Sequence, residues 1–414
     1  MSSPGGYLHK APFVVPVAAD RSLPAVIIDG AVLTNNGRIV AVGPYDELRG
    51  AAALEVEHGA AVLLPALVNC HSHLELSHLA RLGKVAGQAA GDMTGWIRTL
   101  LAEREQGNDS EEDIEMAAWQ ALARLYRGGC RGLLDIGNLA ASRDIAKNFK
   151  LNSRFFQEVL GLTKTGIEAG AALLASVAND NELCYTAHAP YSTAPELLEK
   201  LKARARRHDH LFPIHVAESA DEIEFLATGR GRFRDFLVER GAWDGTFQAP
   251  GLSPIAYLDR LGVLDEKTLC VHCVHSDAAD LAIMAARRVT ACICPGSNRF
   301  LGVGIAPVPR MLERGIAVVL GTDSLASNPH LSLWQEMRVL AQDHPGLPPL
   351  EIIRMATING AELLGLTGEL GSLTPGCSAS FLAVSGGMPA RADGDGILGW
   401  LVSAGLTITT EWVE

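Results

Sequence analysis

Eight short apolar runs, at residues 64–73, 132–137, 154–161, 184–190, 212–218, 269–275, 291–295 and 317–323, alternate with longer stretches of helical pattern. Each run is long enough for one strand. Strands separated by helices pair in parallel, with the helices covering the sheet faces. Eight such units over about 300 residues predict an α/β fold, a (β/α)8 TIM barrel, with a doubly wound open sheet as the alternative. No G-x-G-x-x-G follows a strand and no strand runs into a phosphate loop, which counts against the open sheet. The clearest helix is "SEEDIEMAAWQALARLYRGG". Ser110 offers an N-cap with Asp113 three residues on. Ile114, Ala117, Ala118, Ala121, Leu122 and Leu125 make one apolar face, and Gly128-Gly129 stops the helix.

The two chain ends are written differently. "AVIIDGAVLTNNGRIVAVGP" places β-branched runs on either side of Asn35-Asn36-Gly37, a hairpin signal, and "GSLTPGCSASFLAVS" and "LTITTEWVE" return to that style. Each end is too short for its own core. The expectation is one small β-sandwich domain built from residues 1–63 and 367–414, beside a barrel of residues 64–366.

Composition narrows the partners. Of 414 residues, 48% are apolar and 20% charged, with a net charge of −12 and no long Lys/Arg cluster. That excludes a phosphate-backbone partner, so no nucleic acid is expected. The start of the chain lacks a basic segment leading into a long apolar core, and no run is long enough to span a bilayer, so neither a signal peptide nor a membrane partner is expected. Eight cysteines are scattered, several inside apolar runs such as "LCVHCV" and "ACICP", the pattern of reduced, buried thiols in a cytoplasmic protein. Cys270 with Cys273 and Cys292 with Cys294 would lie on strands, not turns, which disfavours a four-thiolate zinc site. What remains is a small-molecule substrate, with a homo-oligomer left open.

The polar residues sit where the strands end. The first run closes on His71 and His73, two residues apart and so on one strand face. Later runs close on His188 in "TAHAPYS", His215 and Glu218 in "PIHVAES", His272 and His275 in "VHCVHS", Asn298 in "CPGSN" and Asp323 in "VVLGTDS". In a barrel these ends share one rim, where active sites of that architecture lie. Any one of them reads as a buried group with a local partner, but desolvating so many without a shared purpose is costly.

The order His-x-His, His-x-x-Glu, lone His, Asp resembles the amidohydrolase superfamily, in the branch that holds adenosine-type, cytosine and guanine deaminases and triazine hydrolases. The resemblance runs over nearly the whole chain, and its motifs are specific in combination. It implies His71, His73, His215 and Asp323 as ligands to one Zn²⁺ or Fe²⁺. Two-metal branches carry a carboxylated Lys on the fourth strand, where this chain reads "LCYTAHAPY". The chemistry agrees: three neutral imidazoles and a carboxylate suit a borderline cation, and a position left for water makes such a site catalytic. Glu218 would then be the proton shuttle, His272 would orient the attacking water and stabilise the tetrahedral intermediate, and Asp323 would share the proton work.

The implied reaction is hydrolytic deamination of an aminated purine, an adenosine-type nucleoside derivative of the S-adenosylhomocysteine or aminodeoxyfutalosine class. The alternatives are removal of chloride or an alkylamine from a triazine or related ring, and cytosine or guanine deamination. A catalytically dead scaffold is disfavoured because every ligand position and Glu218 are filled. For the substrate, His188 resembles the substrate-binding His of the branch. "HLELS" is similar to the aminodeoxyfutalosine deaminases and implies that Glu75 binds ribose hydroxyls, against a solvated loop carboxylate. Asn298 and Arg299 follow the seventh strand, and Arg299 is expected to hold a substrate carboxylate, against a surface ion pair. His78 and His275 read as structural, and Trp96 as packing or a pocket wall.

Overall fold

Pro65 divides what reads in the sequence as a single first strand. The computed structural model describes residues 6–20, 22–84, 91–107, 109–139, 143, 145–389 and 392–414, so the start of the expected chain-end unit, residues 1–5, lies outside the described residues. Within them, Val62–Pro65 (β5) pairs with the chain-end strands, and Leu67–Ser72 (β6) opens the parallel array. Proline has no N–H to continue a ladder, so the chain changes sheets there.

The other seven runs form Cys130–Gly137 (β7), Asn152–Val159 (β8), Cys184–Ala187 (β9), Phe212–Val216 (β10), Thr268–His272 (β11), Thr290–Ile293 (β12) and Ala317–Leu320 (β13). They make two parallel four-stranded sheets, β6-β7-β8-β9 and β10-β11-β12-β13. Hydrogen bonds cross both gaps between the sheets. His215 N donates to the His188 carbonyl at 3.0 Å, and Thr322 N and Asp323 N donate to the His71 carbonyl at 3.0 and 3.1 Å. A parallel bridge joins Ser72 to Asp323. Most strand positions are buried on both faces, which is why the runs are continuous and not alternating. Val68, Cys70, Phe156, Val271, Cys292 and Val319, drawn from both sheets, share one buried cluster.

The helix Glu111–Arg127 begins on the expected capping box: Ser110 Oγ accepts from Asp113 N and the Asp113 carboxylate accepts from Ser110 N. It buries Ala118, Ala121, Leu122 and Leu125.

The chain ends meet in one seven-stranded mixed sheet. Tyr7–Val14 (β1) pairs with Ile27–Asn35 (β2), and β2 with Arg38–Pro44 (β3). Asn36 and Gly37 both have positive φ, 49° and 72°, as a tight hairpin with native strand twist requires. β1 also pairs with Leu54–Glu57 (β4) and with β5; β5 pairs with Phe381–Ser385 (β14), and β14 with Thr409–Val413 (β15). The expected sandwich is thus a single sheet among the described residues. Its two halves are joined through β5–β14 pairing, and sequence periodicity carries no record of that pairing. The helix Gly394–Ser403 packs on the helices Leu333–Asp343 and Pro349–Met355, so the C-terminal segment also joins the helical layer of the central region. All eight cysteines are free and buried. Burial pushes the Cys130 thiol up to about 12. No helix among the described residues is long and apolar enough to cross a membrane.

The seam between β13 and β6 is tight. A Cβ on Gly321 would lie 2.6 Å from His71 Cβ and 3.0 Å from both Cys292 Sγ and His71 N. Gly321→Ala is therefore expected to cost about 1–3 kcal/mol, the usual range for overpacking. It should also displace His71, so thermal melts should fall together with the metal content measured by elemental analysis.

Candidate active site

Three of the strands that assemble the site end in left-handed backbone. Ala217 after β10 has φ 52°, His272 and Cys273 at the end of β11 have 73° and 51°, and Asp323 after β13 has 57°. Such residues are strained unless their surroundings hold them, and they gather at functional sites. The restraint here is visible. Glu222, fully buried, accepts from Ala217 N at 3.0 Å and Glu218 N at 2.9 Å. Ser219 caps the helix that carries Glu222. The turn at Ala217 brings Glu218 to the same site as His215, which plain strand alternation would not do.

His71 on β6 and His73 directly after it face the site, while Ser72 turns to β7 and donates to Asp135 Oδ1 at 2.9 Å. Nε2 of His73 lies 3.2 Å from Nε2 of His215, which lies 3.3 Å from Nε2 of His71. Asp323 Oδ1 is 3.7 Å from Nε2 of both His71 and His73. Four ligands on a tetrahedral ion at 2.0–2.2 Å are separated by roughly 3.3–3.6 Å. The contacts of His215 with His71 and His73, and of Asp323 with His71 and His73, fall near that spacing, and the donor atoms of His71, His73 and Asp323 all lie within 4.8 Å of one another. The other atoms are anchored: His215 Nδ1 donates to the His188 carbonyl at 2.9 Å. Asp323 Oδ2 accepts from Ser297 Oγ at 2.5 Å and Ser327 Oγ at 2.9 Å.

The electrostatics fit a cation. Burial lowers His71 to about 4, and burial with the neighbouring imidazoles holds His215 well below its usual range, so both are neutral donors. Burial also works to lower His73, but the carboxylates of Asp323, Glu158, Asp135 and Glu75 outweigh it, and His73 is raised. Burial would raise Asp323, yet the imidazoles of His71, His73 and His272 hold it well below the usual carboxylate range. The surroundings favour positive charge at this point. Beside the cluster, Glu218 Oε1 is 3.5 Å from His272 Nε2. Burial, and then the Asp323 charge, push Glu218 well above the usual range, which suits a group that holds and returns a proton. His272 Nδ1 pairs with Asn298 Oδ1 at 2.9 Å, leaving Nε2 toward the site.

The family model described as the amidohydrolase family matches residues 62–403. The chain belongs to the amidohydrolase family. A 5-methylthioadenosine/S-adenosylhomocysteine deaminase of Pelotomaculum thermopropionicum is 30% identical over 381 residues, covering 86% of this chain and 80% of that protein. A 5'-deoxyadenosine deaminase of Methanothermobacter thermautotrophicus is 26% identical over 388 residues, 86% of this chain and 81% of that protein. Among solved structures, Helicobacter pylori aminofutalosine deaminase in complex with methylthio-coformycin superposes with a TM-score of 0.80 at 24% identity, covering 99% of this chain and 97% of that one. An adenosine deaminase from Xanthomonas campestris with bound zinc gives 0.77 at 24% identity, covering 99% and 92%. These two structures share the amidohydrolase fold with this chain.

A cavity of about 910 Å³ opens above the cluster, lined by His73, Glu75, His188, His215, Glu218, His272 and Asp323. His188 Nδ1 is fixed on Ser192 Oγ at 2.7 Å. Glu75 is buried, and its Oε2 accepts from the backbone of Asn138 at 2.8 Å and Leu139 at 2.5 Å, so it is no solvated loop carboxylate. Trp96 lines the cavity. His275 bonds the Val303 carbonyl and His78 the Glu75 carbonyl, both local structural bonds.

Two assignments change. Arg299 is outside the cavity: it pairs with Asp343 at 2.6 Å and Gln342 at 2.8 Å on the surface. The segment after β12 is a helix, Pro295–Leu301, which turns Arg299 outward and Leu301 toward the cavity. Asn298 is not a lining residue either, because its amide is spent on His272. The residues unnoticed in the sequence are supports: Glu222, Ser297, Ser327 and Asn69, whose amide bonds Thr322 across the β6–β13 seam. Glu222 at four residues from Glu218 was the one with a readable signal.

Asn298→Ala should leave the metal content unchanged and lower kcat by about 10–100-fold, the usual cost of losing a partner that orients an active-site imidazole. Steady-state kinetics beside elemental analysis checks both halves.

Proposed function

We propose that the protein is a zinc-dependent hydrolytic deaminase of an adenosine-type nucleoside, releasing ammonia, with one metal ion per chain held by His71, His73, His215 and Asp323 in a closed (β/α)8 barrel. The same reading divides the chain into a barrel of residues 64–366 and a chain-end unit of the remainder. The observation that carries it is the placing of Glu218 and His272 beside the four converging ligands on the floor of a cavity large enough for a nucleoside. A divalent ion bound there supplies a Lewis acid that makes water acidic near neutral pH.

The chain's own groups do the rest. Glu218 takes the first water proton and returns it to a ring nitrogen of the substrate; the second proton, from the hydroxyl then on the attacked carbon, passes through Asp323 and Glu218 to the amine, which leaves as ammonia while the carbonyl forms. His272, its Nδ1 committed to Asn298, keeps Nε2 free to orient the attacking water and to meet the charge that develops at the attacked carbon. Asp323 faces both groups. His188, locked by Ser192, presents its ring to the bound base, and Glu75, fixed by two backbone amides, lies where the rest of the substrate extends. The names of the curated relatives support an adenosine-type substrate.

The deciding experiment is an ammonia-release screen over 5-methylthioadenosine, S-adenosylhomocysteine, 5'-deoxyadenosine, aminodeoxyfutalosine, guanine, cytosine and a chlorinated triazine. Turnover of an adenosine derivative is expected; turnover of the triazine alone, with chloride or alkylamine released, would replace the reading. Elemental analysis should find one zinc per chain, and two metals would overturn the four-ligand site. Glu218→Gln should retain the metal and the melting temperature, yet lose at least the 10²–10⁴-fold typical of a general acid–base group. Activity above about a tenth of wild type would remove Glu218 from that role.

A further inference from the structure

Glu158 has no task in the mechanism above. It is the penultimate residue of β8, is 7% exposed, and lies in the cavity wall with His188 and His215. Its carboxylate is poorly served. Among the described residues, Oε2 accepts one long hydrogen bond, 3.3 Å, from Asn138 Nδ2, and Oε1 has no hydrogen-bond partner. The His215 Nδ1 ring nitrogen is 3.9 Å from Oε1 and already gives its proton to the His188 carbonyl. Among the described residues no Lys or Arg forms an ion pair with it. A buried carboxylate left this way carries an uncompensated desolvation cost, and buried polar atoms in native proteins are satisfied by some partner. Because Glu158 borders the cavity, that partner can be a bound molecule. The terminal carboxylate torsion is broad and two-fold, so a small rotation turns either oxygen to the cavity.

Asn138 links Glu158 to a second acid. Its backbone N–H donates to Glu75 while its side-chain amide donates to Glu158. Glu75, Asn138 and Glu158 therefore make a connected, acceptor-rich stretch across the ends of β6, β7 and β8. An acceptor-rich wall selects for donors. On an adenosine-type substrate the exocyclic amine is engaged at Glu218, and the bare ring nitrogens are acceptors. The remaining donors common to all adenosine-type ribonucleosides are the sugar hydroxyls.

We propose that Glu158 accepts hydrogen bonds from the sugar hydroxyls of the nucleoside, with Asn138 and Glu75 holding it in position. The inference rests on the nucleoside deaminase reading and deepens it: it makes the hydroxylated sugar, and not the purine alone, the group that the site recognises.

The test compares adenosine-type ribonucleosides with their 2′-deoxy and 3′-deoxy analogues, on wild type and Glu158→Gln, with metal content measured on both. Wild type should prefer the ribonucleoside over at least one deoxy analogue by about 10–100-fold in kcat/KM, the scale of a hydrogen bond to a charged group. Glu158→Gln should lose that preference through KM, with kcat and metal content changed little and the analogue lacking the recognised hydroxyl nearly unaffected. Equal loss on all substrates, or loss of metal, means that Glu158 supports His215 and overturns the inference while the deaminase reading stands. Wild type that treats ribo and both deoxy substrates alike overturns it whether or not the variant folds. Wild type that releases no ammonia from any purine nucleoside removes the deaminase reading and this inference together.

Discussion

The His215 imidazole nitrogen lies 3.2 and 3.3 Å from those of His73 and His71, and a buried carboxylate oxygen of Asp323 faces the latter two at 3.7 Å. Left to themselves these atoms repel or compete for too few protons, and burial makes each arrangement costly. A divalent cation resolves the conflict, because every atom in the cluster is a donor to it. The rest of the site follows from that one constraint. The strands have to end where these atoms converge, their outer atoms need partners, and Glu218 and His272 have to stand close by.

The scaffold meets these demands with backbone strain that is held in place by buried hydrogen bonds. Ala217, His272 and Asp323 all adopt left-handed conformations that L residues avoid. Glu222 holds the first through two backbone amides, and Ser297 and Ser327 hold the Asp323 carboxylate. Burial raises Glu222 to about 8, so its two amide donors are what favours its charged form. Glu336 is likewise raised to about 8 by burial and accepts from Gly296 N at 2.7 Å, at the start of the helix that carries Ser297 and Asn298. The supporting shell is therefore a set of buried carboxylates, each satisfied by backbone or amide donors. Glu158 is the carboxylate on the cavity wall where that pattern is incomplete.

Much of this was legible in the chain. A strand that runs straight into His-x-His shows both rings on one face, because strand periodicity is local. The eight runs were readable because doubly buried parallel strands are continuous apolar segments, and the helix at Glu111–Arg127 because a capping box and an apolar face both lie within one short window. Arg299 misled because the stretch after β12 read as a loop. It is a helix, and a helix turns successive residues through about 100°, so that Asn298 faces inward to His272 and Arg299 outward to Asp343.

The sequence by itself determined the donor set, the order in which strands deliver it, and the parallel α/β character of the central region, since each depends on residue type and short-range spacing. Tertiary structure alone decided which atoms meet. The chain ends joined in one sheet and not a sandwich because β5 and β14, more than 300 positions apart, happen to be complementary edges. Asn298 became a support for His272, and Glu222 for Glu218, because left-handed turns at the strand ends redirect the backbone. The turn at Ala217 is held from Glu222 only five residues on, but Asn298 meets His272 and Ser297 meets Asp323 from 26 positions away, and an Ala or an Asp carries no local mark of such turns.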